Sequence, residues 1–87
     1  MIVYTNQALA DLGRLEAIAS GAVALIVDAI GLLDRHPFIG RVVENGRREF
    51  VISRGKTGHL ALYDFDERAN EVTVTAVRHQ RETGYEP

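Results

Sequence analysis

The side chains best equipped for chemistry gather near the C-terminal end of the chain: Arg78, His79, Arg81 and, past Gly84, Tyr85. Guanidinium groups hold anions, an imidazole exchanges a proton near neutral pH, and a phenol both packs and hydrogen-bonds. Part of any functional site is therefore expected here. Other reactive types lack context. Ser20 and Ser53 have no nucleophile setting around them. Gly55-Lys56-Thr57-Gly58 lacks the full Gly-x-x-x-x-Gly-Lys-Thr spacing and a following helix, so it reads as a hairpin and not as a phosphate loop. His36, His59 and His79 stand far apart with no carboxylate at ligand spacing, and neither a metal site nor a cofactor is expected.

The element that must position the cluster is the strand before it. From Val72 to Val77 the chain alternates apolar or small positions with mostly polar ones, is nearly all β-branched, and contains neither Gly nor Pro. A period of two places Val72, Val74 and Ala76 on a helix-covered face and Thr73, Thr75, Val77 and His79 on a more open one. Arg78 falls with the buried set, its stem passing over apolar atoms while its guanidinium reaches water.

Upstream, Ile2 to Tyr4 predicts a short opening strand, and Thr5 or Asn6 an N-cap. From Gln7 to about Ala19, residues Ala8, Leu9, Leu12, Leu15, Ile18 and Ala19 recur at helical spacing, leaving Asp11, Arg14 and Glu16 largely outside the stripe. Ser20-Gly21 breaks this helix, and a second runs from Ala22 to about Arg35, stopped by His36-Pro37. Between Ala22 and Leu33 only Asp28 and Gly31 are not apolar. This run is too short for a bilayer, which needs about 20 apolar residues. A partner chain is expected to cover part of it, at Leu25, Ile26 and Ile30; the alternative is a weakly hydrophobic outer face made by Ala22, Ala24 and Ala29. Pro37 to Arg41 reads as a connector, and Asn45-Gly46 as a turn with positive φ. Strands are predicted over 48–54, 59–65 and 71–78, joined by hairpin loops. The fold class is α+β: a helical hairpin on one face of an antiparallel sheet, in a single domain spanning residues 1–87.

Composition narrows the class further. With 46% hydrophobic residues in 87 and no cysteine, the chain has no disulfide framework and no thiolate site. The N-terminus has neither the positive region nor the long apolar core of a signal peptide. The net charge of −2 conceals an uneven distribution, since eight of the ten Lys and Arg residues lie between Arg41 and Arg81. A local basic patch is therefore compatible with a mildly acidic whole.

Five stretches together resemble the RelE/ParE superfamily of toxins from type II toxin–antitoxin (plasmid stabilisation) modules. They are Ala8-Leu9-Ala10-Asp11-Leu12, His36-Pro37-x-Ile39-Gly40-Arg41, Arg48 to Gly55, Leu62 to Asp66, and Val77-Arg78-His79-Gln80-Arg81-Glu82-x-Gly84-Tyr85. The resemblance implies a helical hairpin on an antiparallel sheet, a cytoplasmic location, and inhibition by a cognate antitoxin that wraps across the toxin. A homodimer or a toxin–antitoxin hetero-oligomer is the assembly it implies. RelE-like members cleave messenger RNA on the ribosome, and ParE-like members poison DNA gyrase instead. Cleavage at the 2′-hydroxyl needs a base, an acid and cations for the pentavalent phosphate, with no metal required. For that chemistry the resemblance points to His79 as acid or base, Arg81 and Arg78 as phosphate clamps, and Tyr85 as stacking platform or proton donor. The middle strands lack the paired lysines and arginine of RelE-like toxins, leaving Arg48, Arg54 and Lys56 as substitutes. The hairpin is also several residues shorter than usual, so a non-toxic member that only forms a dimer or complex is the alternative.

Overall fold

The computed structural model describes residues 1–53 and 58–79. Strand β1 (Ile2–Tyr4) leads into helix α1 (Asn6–Ile18), helix α2 (Ala22–Ile30) and a 3-10 turn over Gly31–Asp34. Strands β2 (Arg41–Val42), β3 (Arg48–Val51), β4 (His59–Asp66) and β5 (Glu71–His79) follow. The sheet order is β1-β5-β4-β3-β2. Strands β3 to β5 form the antiparallel meander expected, β2 extends it antiparallel to β3, and β1 joins parallel to β5, with Val3 opposite Thr73. The sheet is thus mixed.

Thr5 caps α1, its hydroxyl accepting from the Ala8 amide at 3.1 Å. The start of α2 is capped from a distance: both carboxylate oxygens of Glu16 are used, accepting from the amides of Gly21 and Val23. Those hydrogen bonds hold the Glu16 carboxyl below its ordinary pKa. Helix α2 ends at Ile30, earlier than the sequence suggests, and tightens into the 3-10 turn at Gly31, where a residue without Cβ adds little to helix propensity. Asn45 and Gly46 adopt φ of 60° and 76°, the positive values expected of that pair. The segment before them holds a strand that the reading of Pro37 to Arg41 as a connector missed: Arg41 and Val42 pair with Glu49 and Arg48.

The core lies between the helical pair and one sheet face. Ala8, Leu12, Leu15, Ala22, Ile26, Ile30 and Leu33 meet Ala61, Tyr63, Val72, Val74 and Val77. Full burial of each large aliphatic side chain is worth roughly 1.5–3 kcal/mol before entropy is counted. Ile26 and Ile30 belong to this core, so they cannot serve as partner-facing residues; of the three interface candidates on α2 only Leu25 is exposed, at 75%.

The faces of β5 also depart from a simple period of two. Leu62 pairs with Ala76 but Tyr63 pairs with Val74, which leaves Thr75 as an extra residue in a β-bulge. The phase inverts there. Val77 enters the helix-side core instead of the open face, and Ala76, though buried, leaves that core.

Candidate functional site

At the end of β5 the organising group is Asp11. Strand β1 stops opposite Val74, so further along β5 the amide of Val77 faces α1 and not another strand. Asp11 Oδ2 accepts from that amide at 3.0 Å and from Arg78 Nη1, while its Oδ1 accepts from Gln7 Nε2 at 2.9 Å and from Arg14 Nη2 at 3.2 Å. Only 3% of Asp11 is exposed. Burial alone would raise the Asp11 carboxyl, but the hydrogen bonds from Val77 and Gln7 and the charge of Arg78 outweigh it and hold the pKa below the ordinary value.

Residue type alone puts Asp11 outside the α1 stripe. The spacing Ala8, Asp11, Leu12, Leu15 is nonetheless the i, i+3, i+4, i+7 pattern of a buried face, and all four are buried. Leu9 and Ile18, counted in the stripe as apolar residues, are exposed. The same arrangement revises the part assigned to Arg78: its guanidinium closes an ion pair with a buried carboxylate instead of reaching out to water.

His79 lies opposite His59 across β4 and β5, with ring centroids 5.3 Å apart and planes at 86°. Two histidines twenty residues apart in sequence are thus brought edge to face by the hairpin. Two adjacent imidazoles can act as proton donor and acceptor. His59 also lines a groove of about 650 Å³ between α2 and the sheet, together with the Ala19–Ala22 turn, Leu25, Ile52 and Ser53. Among the described residues no group of three or more His, Asp or Glu is arranged to hold a metal ion.

Arg48 sits away from these histidines. Its Nη1 donates to the carbonyls of Phe38 and Gly40 at 3.2 and 2.7 Å, and its guanidinium stacks 5.0 Å from the centre of the Phe38 ring. Among the named phosphate-binding candidates, Arg54 and Lys56 lie outside the described residues, as do Arg81 and Tyr85 from the proposed catalytic set. What the structure brings together is therefore Arg78 with Asp11 and His79 with His59; Arg48 is not part of that group.

Sequence reasoning also passed over Tyr63, whose ring is fully buried. Its hydroxyl donates to the Pro37 carbonyl at 2.7 Å and accepts from the Gly40 amide at 2.9 Å, fixing the segment before β2. Its burial raises the phenol pKa against the opposing effects of the Gly40 bond and the Arg48 charge. No helix among the described residues is long and apolar enough to cross a membrane.

Comparison with known proteins adds three findings. The family model for the ParE toxin of type II toxin–antitoxin system, parDE, matches residues 2–84. The crystal structure of the toxin–antitoxin complex RelBE2 from Mycobacterium tuberculosis contains a chain 26% identical, with a TM-score of 0.71 over 91% of this chain and 95% of that one. A chain of the intact E. coli RelBE toxin–antitoxin complex is 15% identical, with a TM-score of 0.71 over 91% of this chain and 94% of that one; at that identity the likeness is one of fold. No curated protein matches significantly.

Proposed function

We propose that this chain, which belongs to the ParE toxin family of type II toxin–antitoxin systems, arrests growth by binding its target rather than by cutting it, and that the target is DNA gyrase. The observation that carries this reading is the placement of Arg78. A cation that must stabilise a pentavalent phosphate has to meet the phosphate, yet this guanidinium is engaged by a buried carboxylate. Arg48 is similarly engaged by two backbone carbonyls. The missing middle-strand lysines point the same way. One observation favours the second reading, ribosome-dependent RNA cleavage: the adjacent, edge-to-face imidazoles of His59 and His79.

The test separates the two. Purified protein added to gyrase and relaxed plasmid is expected to lower supercoiling and to accumulate enzyme-linked DNA breaks. Primer extension on a message under translation is expected to show no new ends. Cuts that need ribosomes would overturn the binding reading, and silence in both assays would leave the inert complex-forming module.

As a toxin of this class the chain is held inactive by a cognate antitoxin, and the outer face of α2 is a suitable surface for it. Leu25 and Val27 are exposed on α2, and Ile18 is exposed at the end of α1. Leu25→Asp is expected to weaken antitoxin binding by about tenfold or more in titration calorimetry, because it places a charge in a desolvated contact. The thermal midpoint should not move, since Leu25 contributes little to the chain's own core. Unaltered affinity would remove this face from the interface.

A further inference from the structure

We infer that Phe38 and Ile39 form a preorganised apolar wedge with which the toxin docks into a pocket on its protein target, apolar at its floor and acidic at its rim. The inference rests on the binding reading above and names the contact that reading requires.

The wedge lies in the segment that joins the 3-10 turn after α2 to β2. Phe38 is 55% exposed and Ile39 51%. Two adjacent large apolar side chains in water are unfavourable for the free domain, and a segment without another role would be loose or polar. This one is neither. Tyr63 holds the Pro37 carbonyl and the Gly40 amide, and Arg48 holds the carbonyls of Phe38 and Gly40. The Phe38 ring is braced edge-on by Phe65, with centroids 5.1 Å apart, and covered on one side by the Arg48 guanidinium. Two sheet side chains, Tyr63 and Arg48, thus fix the backbone of a four-residue segment and Phe65 steadies its ring, while the apolar tips stay outside. Fixing a contact residue before binding removes the ordering cost at the moment of association, and aromatic anchors of this kind dominate interface energetics.

Charge specifies the rim. Arg35 and His36 line the shallow depression beside Phe38 and Ile39. Other nearby charges are paired: Asp34 with the N-terminal amine, Arg41 with Glu49, and Arg47 with Asp64. Among the described residues the Arg35 side chain has no such partner, so an uncompensated cation flanks the wedge and calls for an acidic group opposite. The rigidity selects the target over the antitoxin. A segment that wraps and folds on the toxin can adapt to its surface, whereas a preformed pocket on a folded target needs a preformed wedge. The α2 groove and this depression share no lining residue.

The experiment uses the full chain, released from its antitoxin complex. Ile39→Asp alters a side chain with no role in fastening the segment, and Phe38→Ala removes the anchor. Both variants are expected to lose growth arrest on induction and to inhibit gyrase about tenfold less or weaker still. Arg35→Glu is expected to weaken inhibition in the same direction. Antitoxin affinity, thermal midpoint and sedimentation mass should stay at wild-type values for Ile39→Asp. Undiminished growth arrest by Ile39→Asp overturns the wedge. Loss of antitoxin affinity in that variant assigns the surface to the antitoxin, and a changed sedimentation mass assigns it to a second copy; either result also overturns it. If the wild-type chain leaves gyrase untouched but arrests growth, and Ile39→Asp abolishes the arrest, the gyrase assignment fails and the wedge stands for a different protein target.

Discussion

Replacing Asp11 with alanine is expected to lower stability by about 3 kcal/mol, the range for removing one partner of a buried ion pair. The loss has three parts that act together. The Val77 amide on β5 is left without its acceptor, Arg78 keeps its charge with only 29% of the side chain exposed, and Gln7 and Arg14 lose their shared oxygen. For a domain of this size the midpoint should fall by on the order of 15 °C. Asp11→Asn should lie between, because its amide oxygen still accepts from Val77 while the attraction to Arg78 is gone.

A dependence on pH follows from the same carboxylate. Its folded pKa is depressed, so the folded state resists protonation more than the unfolded chain does, where the group titrates near about 3.9. The stabilisation is therefore complete above that value and is lost as pH falls through the lower folded pKa. Denaturant titrations of wild type and Asp11→Asn at several pH values check this. The gap between them should be constant from neutrality to about pH 5 and close progressively below about pH 4. A gap that persists unchanged into strong acid would mean that the charge of Asp11 is not what holds Arg78.

Asp11 also shows what a linear reading of sequence can and cannot find. The strands β3 to β5, the opening strand, the helix break at Ser20-Gly21 and the Asn45-Gly46 turn were legible because each depends on neighbours in the chain. Periodicity alone could have flagged Asp11, since it completes a helical stripe, but its residue type argued for solvent. What overrides type is a distant circumstance: β1 is only three residues long, so α1 must supply an acceptor to the edge of β5. The bulge at Thr75 was hidden for a related reason. Phase along β5 is set by its pairing with β4, and no feature of 72–79 alone announces the extra residue. Likewise α2 is apolar nearly all round, so sequence could not choose between Leu25 and the pair Ile26 and Ile30 as the outward set. The choice is made by which side faces Leu12, Tyr63 and Val74 in the core. His59 and His79 became a pair only once the hairpin register was fixed.

Gly40→Ala is expected to have the second large effect, about 3 kcal/mol of destabilisation, although the residue needs no unusual backbone conformation. The reason is space. A Cβ on Gly40 would lie 2.7 Å from Tyr63 Oη, 2.8 Å from Tyr63 Cε1 and 2.9 Å from the backbone oxygen of Glu49. Tyr63 is fully buried and cannot swing aside, and the Glu49 oxygen belongs to a strand paired on both sides. Relief must come from displacing the 37–40 segment, which costs about 1–3 kcal/mol as overpacking, and displacement also breaks the Gly40 to Tyr63 hydrogen bond, worth roughly another 1 kcal/mol. Tyr63→Phe should cost about 2 kcal/mol by leaving the Gly40 amide without its acceptor. The double variant distinguishes close packing from mere loss of a hydrogen bond. With the hydroxyl gone the nearest clash disappears, yet the ring carbon and the Glu49 oxygen remain, so the double variant should cost less than the two singles added together by about 1 kcal/mol. Chemical denaturation of the four proteins measures this coupling. Strict additivity would show that Gly40 is selected by something other than the tyrosine beneath it.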